Sequence, residues 1–88
     1  MKKYKNKSNL QNIPGIGPSI KKDLQTIGIN CINDLKWKKP ESLYNELCKF
    51  KKTTIDKCEL YVFRCAVYYA ENNKHDPNLL KWWNWKDK

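Results

Sequence analysis

The sequence predicts a compact all-α domain of five to six helices without a β-sheet. Apolar residues recur at the three- and four-residue spacing of a helix face, and no segment alternates apolar and polar residues as a half-buried strand does. Proline, glycine and short polar residues mark the ends of these segments. With 88 residues, the chain has room for one modest hydrophobic core and therefore for one domain.

The N-terminal seven residues carry four lysines and no apolar periodicity. We expect residues 1–7 to form a flexible basic arm ahead of a single helical domain at residues 8–88. The domain begins with a short helix, in which Ser8 and Gln11 have the spacing of a capping box. The apolar face of this first helix consists of Leu10 and Ile13.

A turn at Pro14–Gly17 separates the first helix from the second. Pro18 suits the first position of the second helix, because its missing N–H would have no partner there. Gly28 is expected to end this helix in a left-handed conformation. The buried face of the second helix is expected to consist of Ile20, Leu24 and Ile27.

Further helices follow in the second half of the chain. Asn30 is expected to cap a short third helix, and Pro40 to begin a fourth whose basic C-terminal end complements the helix dipole. Thr53 or Thr54 is expected to cap the longest helix, at roughly residues 55–72. Apolar side chains wrap much of the circumference of that helix, so we expect it to be the central element of the core.

Three tryptophans stand in the last segment, which begins at a predicted helix cap, Asp76-Pro77. Trp82, Trp83 and Trp85 are interpreted first as a segment that folds back and seals the core. Two alternatives stay open: a patch that binds a protein partner, and a platform on which unpaired bases stack.

The formal net charge is +9, and 17 of the 18 basic residues are lysine. The chain is also rich in asparagine, isoleucine and tyrosine, which share A/T-rich codons with lysine, so mutational bias in the source genome is one explanation of the charge. The position of the lysines favours a second explanation. Six of them precede the first acidic residue, Asp23, and such a one-sign cluster is typical of a phosphate-binding surface.

The residue inventory argues against an enzyme. The cysteines at 31, 48, 58 and 65 form no CxxC pair, and their spacing with the single histidine, His75, matches no structural zinc site. We interpret the cysteines as small buried residues without disulfides, and His75 as a surface residue near a helix cap. Cys48 and Cys58, each next to lysine, are the only candidates for a reactive thiol. No metal, cofactor or catalytic set is predicted.

The composition also limits the compartment. No apolar run approaches the roughly 20 residues that span a bilayer, and the charged N-terminus has no apolar region behind it that would make a signal peptide. The expected compartment is the cytoplasm, with no membrane partner.

The turn Ile13–Ile20 has the residue types that a phosphate site needs. Gly15 and Gly17 allow positive φ and leave their N–H groups open to an approaching oxygen. The helix that starts at Pro18 adds its positive dipole end and the free amides of Ser19 and Ile20. Two lysines one turn into the helix reach flanking phosphates, and Ile16 points into the core. These two lysines are Lys21 and Lys22.

Residues 10–29 resemble a helix-hairpin-helix motif, a DNA-backbone binder that does not read sequence and occurs in repair and replication proteins. The resemblance implies that the hairpin amides of Gly15 and Gly17, with Ile20 nearby, contact a phosphate. It also implies that hairpin carbonyls sometimes hold a monovalent cation, and the matching positions are Gln11, Ile13 and Ile16. The family usually has a small residue where this chain has Lys21, so the two helices are expected to pack less tightly.

Most of the chain resembles the small "pathogenicity locus" family of helix-hairpin-helix proteins. The resemblance is carried by residues 10–20, Asp34-Leu35, Leu43-Tyr44, Leu47-Cys48, 61–68 and 80–85. It implies an all-α fold similar to SAM-like domains and a bacterial source, and it implies no activity. A weaker likeness, in the spacing of Gly28-Ile29 and Asp34-Leu35, is to the C-terminal domain of TfoX-type competence regulators.

The sequence therefore predicts a non-enzymatic protein that binds DNA backbone through hairpin amides and flanking lysines. The predicted contacts are Gly15, Gly17, Ser19, Ile20, Lys21 and Lys22. The alternative is a protein-interaction module that docks a partner through the hairpin face or through the tryptophan-rich C-terminal segment.

Overall fold

The computed structural model describes residues 9–86, which form one layered helical unit. Residues 9–86 contain four α-helices, α1 at Pro18–Thr26, α2 at Ile32–Leu35, α3 at Pro40–Lys51 and α4 at Lys57–Glu71. Short 3-10 turns occupy Leu10–Asn12, Pro77–Leu80 and Trp82–Trp85. No strand occurs in residues 9–86, which confirms the all-α class for that part of the chain. The predicted arm at residues 1–7 and the predicted cap at Ser8 lie outside the described residues.

The expectation of a five- to six-helix SAM-like domain is wrong. Only α1, α3 and α4 extend beyond a single turn. The predicted first helix contracts to the 3-10 turn at Leu10–Asn12, because Ile13 is already extended ahead of Pro14, as residues before proline tend to be. The C-terminal segment forms two 3-10 turns rather than a helix, and the extended backbone of Lys81 separates them.

Helix α4 is the central element, as its apolar composition predicts. It packs against α2, α3 and both C-terminal turns. Phe63, Cys65 and Ala66 on α4 are fully buried. The largest buried side chains contributed by the other elements are Leu10, Ile13, Leu24, Leu35 and Leu47.

The end of α1 follows its sequence signal closely. Gly28 has φ +92°, its amide donates to the Gln25 carbonyl at 3.1 Å, and the Ile29 amide donates to the Leu24 carbonyl at 2.9 Å. These two bonds form a Schellman motif, and the buried side chains of Leu24 and Ile29 lie at the positions that make its apolar contact.

Two predicted helix caps are wrong. Helix α2 has Cys31 rather than Asn30 at its N-cap, and the Ile32 amide donates across the fold to Asn9 Oδ1 at 2.8 Å. Helix α4 begins at Lys57, so Asp56 rather than Thr53 or Thr54 is its N-cap, and Asp56 Oδ1 accepts from the Cys58 amide at 2.8 Å. The Thr53 amide instead donates to the Cys48 carbonyl at the end of α3. The predicted cap Asp76 is confirmed, and it accepts from the Asn78 amide at 2.9 Å.

None of the helices in residues 9–86 combines the length and the apolar character that crossing a membrane requires.

Candidate nucleic-acid interface

The hairpin turns through a β-turn at Ile13–Ile16. The Ile16 amide donates to the Ile13 carbonyl at 3.1 Å, Pro14 stands at the second position, and Gly15 at the third has φ +90°. Proline followed by a positive-φ glycine is the pattern of a type II turn. The side chains of Ile13 and Ile16 are both buried, so the turn is fixed to the core from beneath, as predicted for Ile16.

Gly17 has a different role from Gly15. It is the N-cap of α1 with φ −95° and ψ −174°, an extended conformation that any residue adopts, so only one of the two glycines needs a positive φ. Its carbonyl accepts from the Lys21 amide at 3.0 Å. Nothing lies within 4 Å of the position that a side chain at Gly17 would occupy. A ligand oxygen therefore has room to approach the backbone at this residue.

The first turn of α1 contains amides that have no hydrogen-bond partner among residues 9–86. No side chain caps this helix, and no hydrogen bond within residues 9–86 uses the amides of Gly17, Ser19 or Ile20. Gly17 and Ser19 are exposed, and Ile20 is half-buried. A nine-residue helix with unpaired amides at its positive dipole end is chemically suited to an anion.

The C-terminal segment lies against one side of the hairpin at Gly15, and Gly15 itself stays exposed. A side chain at residue 15 would begin 2.9 Å from Trp82 Cδ1. Gly15 and Trp82 also border a cleft of about 300 Å³, whose walls include the carboxyl residues Asp56 and Glu59. The amide of Cys58 lowers the pKa of Asp56, so this carboxylate stays charged at the cleft and disfavours phosphate there. The side of the hairpin at Gly17 and Ser19 is therefore better suited to an anion.

The predicted basic residues lie beside this open side. Lys22 is exposed, and Lys21 is half-buried. The Lys22 carbonyl accepts from Thr26 Oγ1 at 3.0 Å within the helix. Lys21 therefore keeps part of its stem against the protein at the position where the motif usually has a small residue.

The predicted cation-binding carbonyls belong to Gln11, Ile13 and Ile16, which all lie on the hairpin. The carbonyl of Ile13 already accepts the hydrogen bond that closes the turn. Gln11 is exposed, whereas Ile13 and Ile16 bury their side chains.

A carboxyl pair beside the hairpin was not predicted. Asp23 on α1 is only 8% exposed, and its Oδ1 lies 2.8 Å from Lys51 Nζ at the end of α3. Glu59 on α4 has a buried Oε2 with no hydrogen-bond partner among the described residues. Burial, and then the hydrogen bond and negative charge of Asp23, raise the pKa of Glu59 to about 8. A protonated Glu59 thus donates to Asp23 and ties α4 to α1.

The second carboxyl of this pair titrates in the opposite direction. Burial on its own raises the pKa of Asp23, but the hydrogen bond from Glu59 and the charge of Lys51 outweigh burial and lower it below the ordinary value. Asp23 therefore holds the negative charge and Glu59 the proton.

The tryptophan-rich segment divides into covered and exposed members. Trp82 is half-buried against the core, and the Trp85 indole Nε1–H donates to the Leu79 carbonyl at 2.8 Å. Trp85 also packs on Tyr68, with ring centroids 5.5 Å apart. Trp83 is 55% exposed. Two of the three tryptophans therefore help to close the core, and one is displayed.

The Cys58 thiol is not activated. Asp56, which accepts a hydrogen bond from the Cys58 thiol, and burial together raise the pKa of Cys58, although the sequence suggested a lowered one from Lys57 and the helix end. Burial raises the pKa of Cys65 to about 11. Cys48 is half-buried. His75 is half-buried as well, and its ring stacks on Tyr69 at 4.3 Å between centroids, with Nε2 2.9 Å from the Tyr69 carbonyl.

Sequence reasoning also missed Trp37. It is 82% exposed and has φ +66°, which is rare for a residue with a large side chain. The signal that could have revealed it is the run Lys36-Trp37-Lys38-Lys39 immediately before Pro40, where helical periodicity is interrupted.

Comparison with known proteins gives one family. A family model described as "Cdd1: Pathogenicity locus" matches residues 3–88, so the match includes both the hairpin and the tryptophan-rich segment. This agrees with the family resemblance noted in the sequence. No curated protein and no solved structure matches, and the SAM-like and TfoX likenesses gain no support.

Proposed function

We propose that this chain, which belongs to the pathogenicity locus family, binds the phosphate backbone of DNA through the first turn of α1 without reading base sequence. The observation that carries the proposal is the open space at Gly17 beside the unpaired amides of Ser19 and Ile20. Amides at a helix N-terminus favour an anionic oxygen through hydrogen bonds and the helix dipole together.

In this proposal the segment from Leu10 to Gly28 acts as a helix-hairpin-helix with a shortened first arm. Lys21 and Lys22 supply positive charge next to the amides, and the formal net charge of +9 favours association with a polyanion. Phosphate contacts of this kind position a protein on DNA but carry no sequence information. The unpaired cysteines fit a reducing cytoplasmic compartment, where DNA is accessible.

The structure also supports a direction of approach. Trp82 lies against Gly15, and Asp56 and Glu59 border the cleft on that side. A phosphate that approached there would meet the charged carboxylate of Asp56. We therefore propose that Gly17, Ser19 and Ile20 make the backbone contacts, with Gly15 shaping the turn rather than touching DNA.

Gly17→Val tests the amide contact. The extended backbone and the free space at this position accommodate valine without strain, so the variant should fold normally. Its side chain would block the phosphate, and we expect affinity for a short duplex at about 50 mM salt to fall at least about tenfold, or ~1.4 kcal/mol. Fluorescence anisotropy of a labelled duplex measures the affinity.

Ser42→Val is the matched control, because Ser42 lies exposed in the first turn of α3, the other long helix that begins with proline. This control should bind as the unaltered chain does. Equal affinity of Gly17→Val and the unaltered chain, with both folded by circular dichroism, would refute the amide contact.

Lys22→Gln tests the charge contribution. We expect the slope of log K against log salt to become shallower by about one unit, since one phosphate contact is lost. Lys49→Gln removes the same charge from an exposed position on α3, and it should leave the slope nearly unchanged. If the two lysine variants behave alike, binding follows net charge rather than a site at α1.

The second candidate function is docking of a protein partner through the C-terminal segment, and exposed Trp83 favours it. It predicts that Trp83→Ala removes the interaction while DNA affinity is absent. Failure of the unaltered chain to bind DNA at about 50 mM salt would favour this candidate over the backbone-binding one.

A further inference from the structure

A turn between α2 and α3 displays an aromatic side chain among lysines. Trp37 is 82% exposed, and Lys36, Lys38 and Lys39 on either side of it are exposed as well. A large apolar ring so fully in water gains little from burial. Because burial does not explain this tryptophan, its position among exposed lysines suggests that it contacts a ligand.

The backbone at Trp37 is held in an unfavourable conformation. Its φ of +66° lies in the left-handed region, which branched and bulky residues avoid. The surroundings fix this conformation, because the Trp37 amide donates to Glu71 Oε2 at 3.0 Å and the Lys38 amide donates to the Leu35 carbonyl at 3.1 Å. Such conformations persist where the fold over-determines them, and they cluster at functional sites.

A polar cleft adjoins the turn. It has a volume of about 390 Å³, and its lining includes Lys36 together with Asn9, Asn33, Asn72 and Asn73. Asn9 Oδ1 accepts from the Ile32 amide, and Asn72 Nδ2 donates to the Tyr68 carbonyl. Amide side chains offer both donors and acceptors, so Asn33 and Asn73 suit the polar edges of bases or sugars.

We propose that this turn, Lys36–Lys39, binds single-stranded nucleic acid by stacking an unpaired base on Trp37, while its lysines contact the neighbouring phosphates. Aromatic rings beside basic residues are the usual means of binding single strands without sequence preference. The three lysines argue against a protein partner, because lysine is depleted in the cores of protein interfaces. Glu71 is the carboxylate that touches the turn, and its contact is with the Trp37 amide.

This site goes beyond the backbone site at α1, because stacking needs a base that is not paired in a duplex. It uses none of the α1 residues, so each site can succeed or fail independently of the other. The two sites also differ in what they read: α1 takes a phosphate, and Trp37 takes the face of a base.

The test compares two single strands of about 12 nucleotides, oligothymidylate and an abasic strand with the same phosphates, at low salt. We expect the unaltered chain to bind oligothymidylate more tightly. Trp37→Ala should weaken that binding about 10-fold, since loss of a stacking aromatic ring reduces affinity by about 5- to 150-fold. Its affinity for the abasic strand should stay unchanged, and Trp37→Phe should keep most of the oligothymidylate affinity.

Trp83→Ala is the matched control, because Trp83 is the other strongly exposed tryptophan. It should leave the preference for oligothymidylate intact. Trp37→Gly adds a folding control: glycine relieves the left-handed strain, so this variant should melt no lower than the unaltered chain and still lose the preference for bases.

Several results would overturn the proposal. Equal binding of oligothymidylate by Trp37→Ala and the unaltered chain would do so, as would an equal loss on both strands. If Trp37→Ala weakened binding to anionic lipid vesicles but not to oligothymidylate, the turn would be a membrane-binding surface instead. Loss of duplex binding in Gly17→Val with no effect of Trp37→Ala would refute this site alone, whereas the reverse pattern would refute the α1 site and keep this one.

Discussion

Four residues among residues 9–86 have a positive φ, and two of them, Gly15 and Trp37, lie in turns that differ in what packs against them. At the hairpin the residue is Gly15, with φ +90°, and Trp82 occupies the space that a side chain there would need. Between α2 and α3 it is Trp37, with φ +66°, and its own ring lies in solvent. Glycine accepts such a conformation freely, whereas tryptophan adopts it at a cost in free energy.

The hairpin turn has a structural role, whereas the Trp37 turn exposes a side chain to solvent. The hairpin turn removes a side chain so that another side chain can seal the core. The Trp37 turn keeps a large side chain and holds it away from the core. Each turn lies near a carboxyl residue at a different end of α4. Glu59, near the start of α4, borders the same cleft as Gly15, and Glu71, at the end of α4, accepts the hydrogen bond of the Trp37 amide.

We expect the largest effect on stability from Gly15→Val, which tests the role of the hairpin turn. A valine there would need φ +90° and would meet Trp82 Cδ1 at 2.9 Å, so we expect a loss of about 2–4 kcal/mol in the free energy of unfolding. Urea unfolding followed by circular dichroism measures it. Gly17→Val is the control and should lose less than about 1 kcal/mol. Similar losses for both variants would mean that the packing of Trp82 does not require a glycine at position 15.

A second prediction concerns pH and the carboxyl pair beside the hairpin. The pKa of Glu59 is raised to about 8 in the folded chain, above its ordinary value of 4.5, so the folded state binds the extra proton between these values. Its stabilisation is therefore complete below about pH 4.5 and is lost as pH rises through 8. We expect stability to fall by about 1–2 kcal/mol from pH 5 to pH 8, after allowance for solvent screening.

Glu59→Gln tests this prediction, because its amide donates to Asp23 at every pH. The variant should show a flatter dependence of the unfolding free energy on pH over the same range. A slope as steep as that of the unaltered chain would assign the pH dependence to another group.

A smaller effect is expected at the other end of α4. Glu71→Ala removes the acceptor for the Trp37 amide, and we expect a loss of about 1 kcal/mol in stability. Glu71→Gln keeps an amide oxygen in nearly the same place and should lose less. Thermal unfolding compares the two variants. If alanine and glutamine are equally harmless, the left-handed turn is maintained by something other than this hydrogen bond.

The smallest effect is the most informative about the comparison. Trp37→Gly should change stability by between zero and a gain of about 0.5 kcal/mol, since relief of left-handed strain offsets the greater freedom of glycine in the unfolded chain. A clear loss of stability, measured by urea unfolding, would mean that the tryptophan ring supports the fold. The two turns would then serve the same structural purpose.

Local signals predicted well wherever the bonding partners lie close in sequence. Gly28 ends α1, Asp76 caps the turn at Pro77, and α4 is central, because each depends on a few neighbouring residues or on composition. The cap of α2 failed for the opposite reason. Its partner, Asn9, lies 23 residues away, so no short-range pattern reveals it.

The candidate site was predicted in part. The sequence identified the hairpin and the residues at the start of α1, because glycine and proline have strong conformational preferences. It gave no sign that Trp82 lies against Gly15 or that Glu59 pairs with Asp23, since both contacts join distant parts of the chain. Trp37 was not predicted because apolar spacing identifies buried faces, and this side chain is 82% exposed.

The contact between Trp82 and Gly15 also bears on the order of folding. The two residues are separated by most of the chain, so their contact closes a long loop and pays the entropy of doing so. During synthesis the hairpin therefore emerges before Trp82, and the contact between them forms only after residue 82 has been made. Until then the nascent chain presents the turn bare, and a chaperone or ligand that prefers the open hairpin would have its best opportunity at that moment.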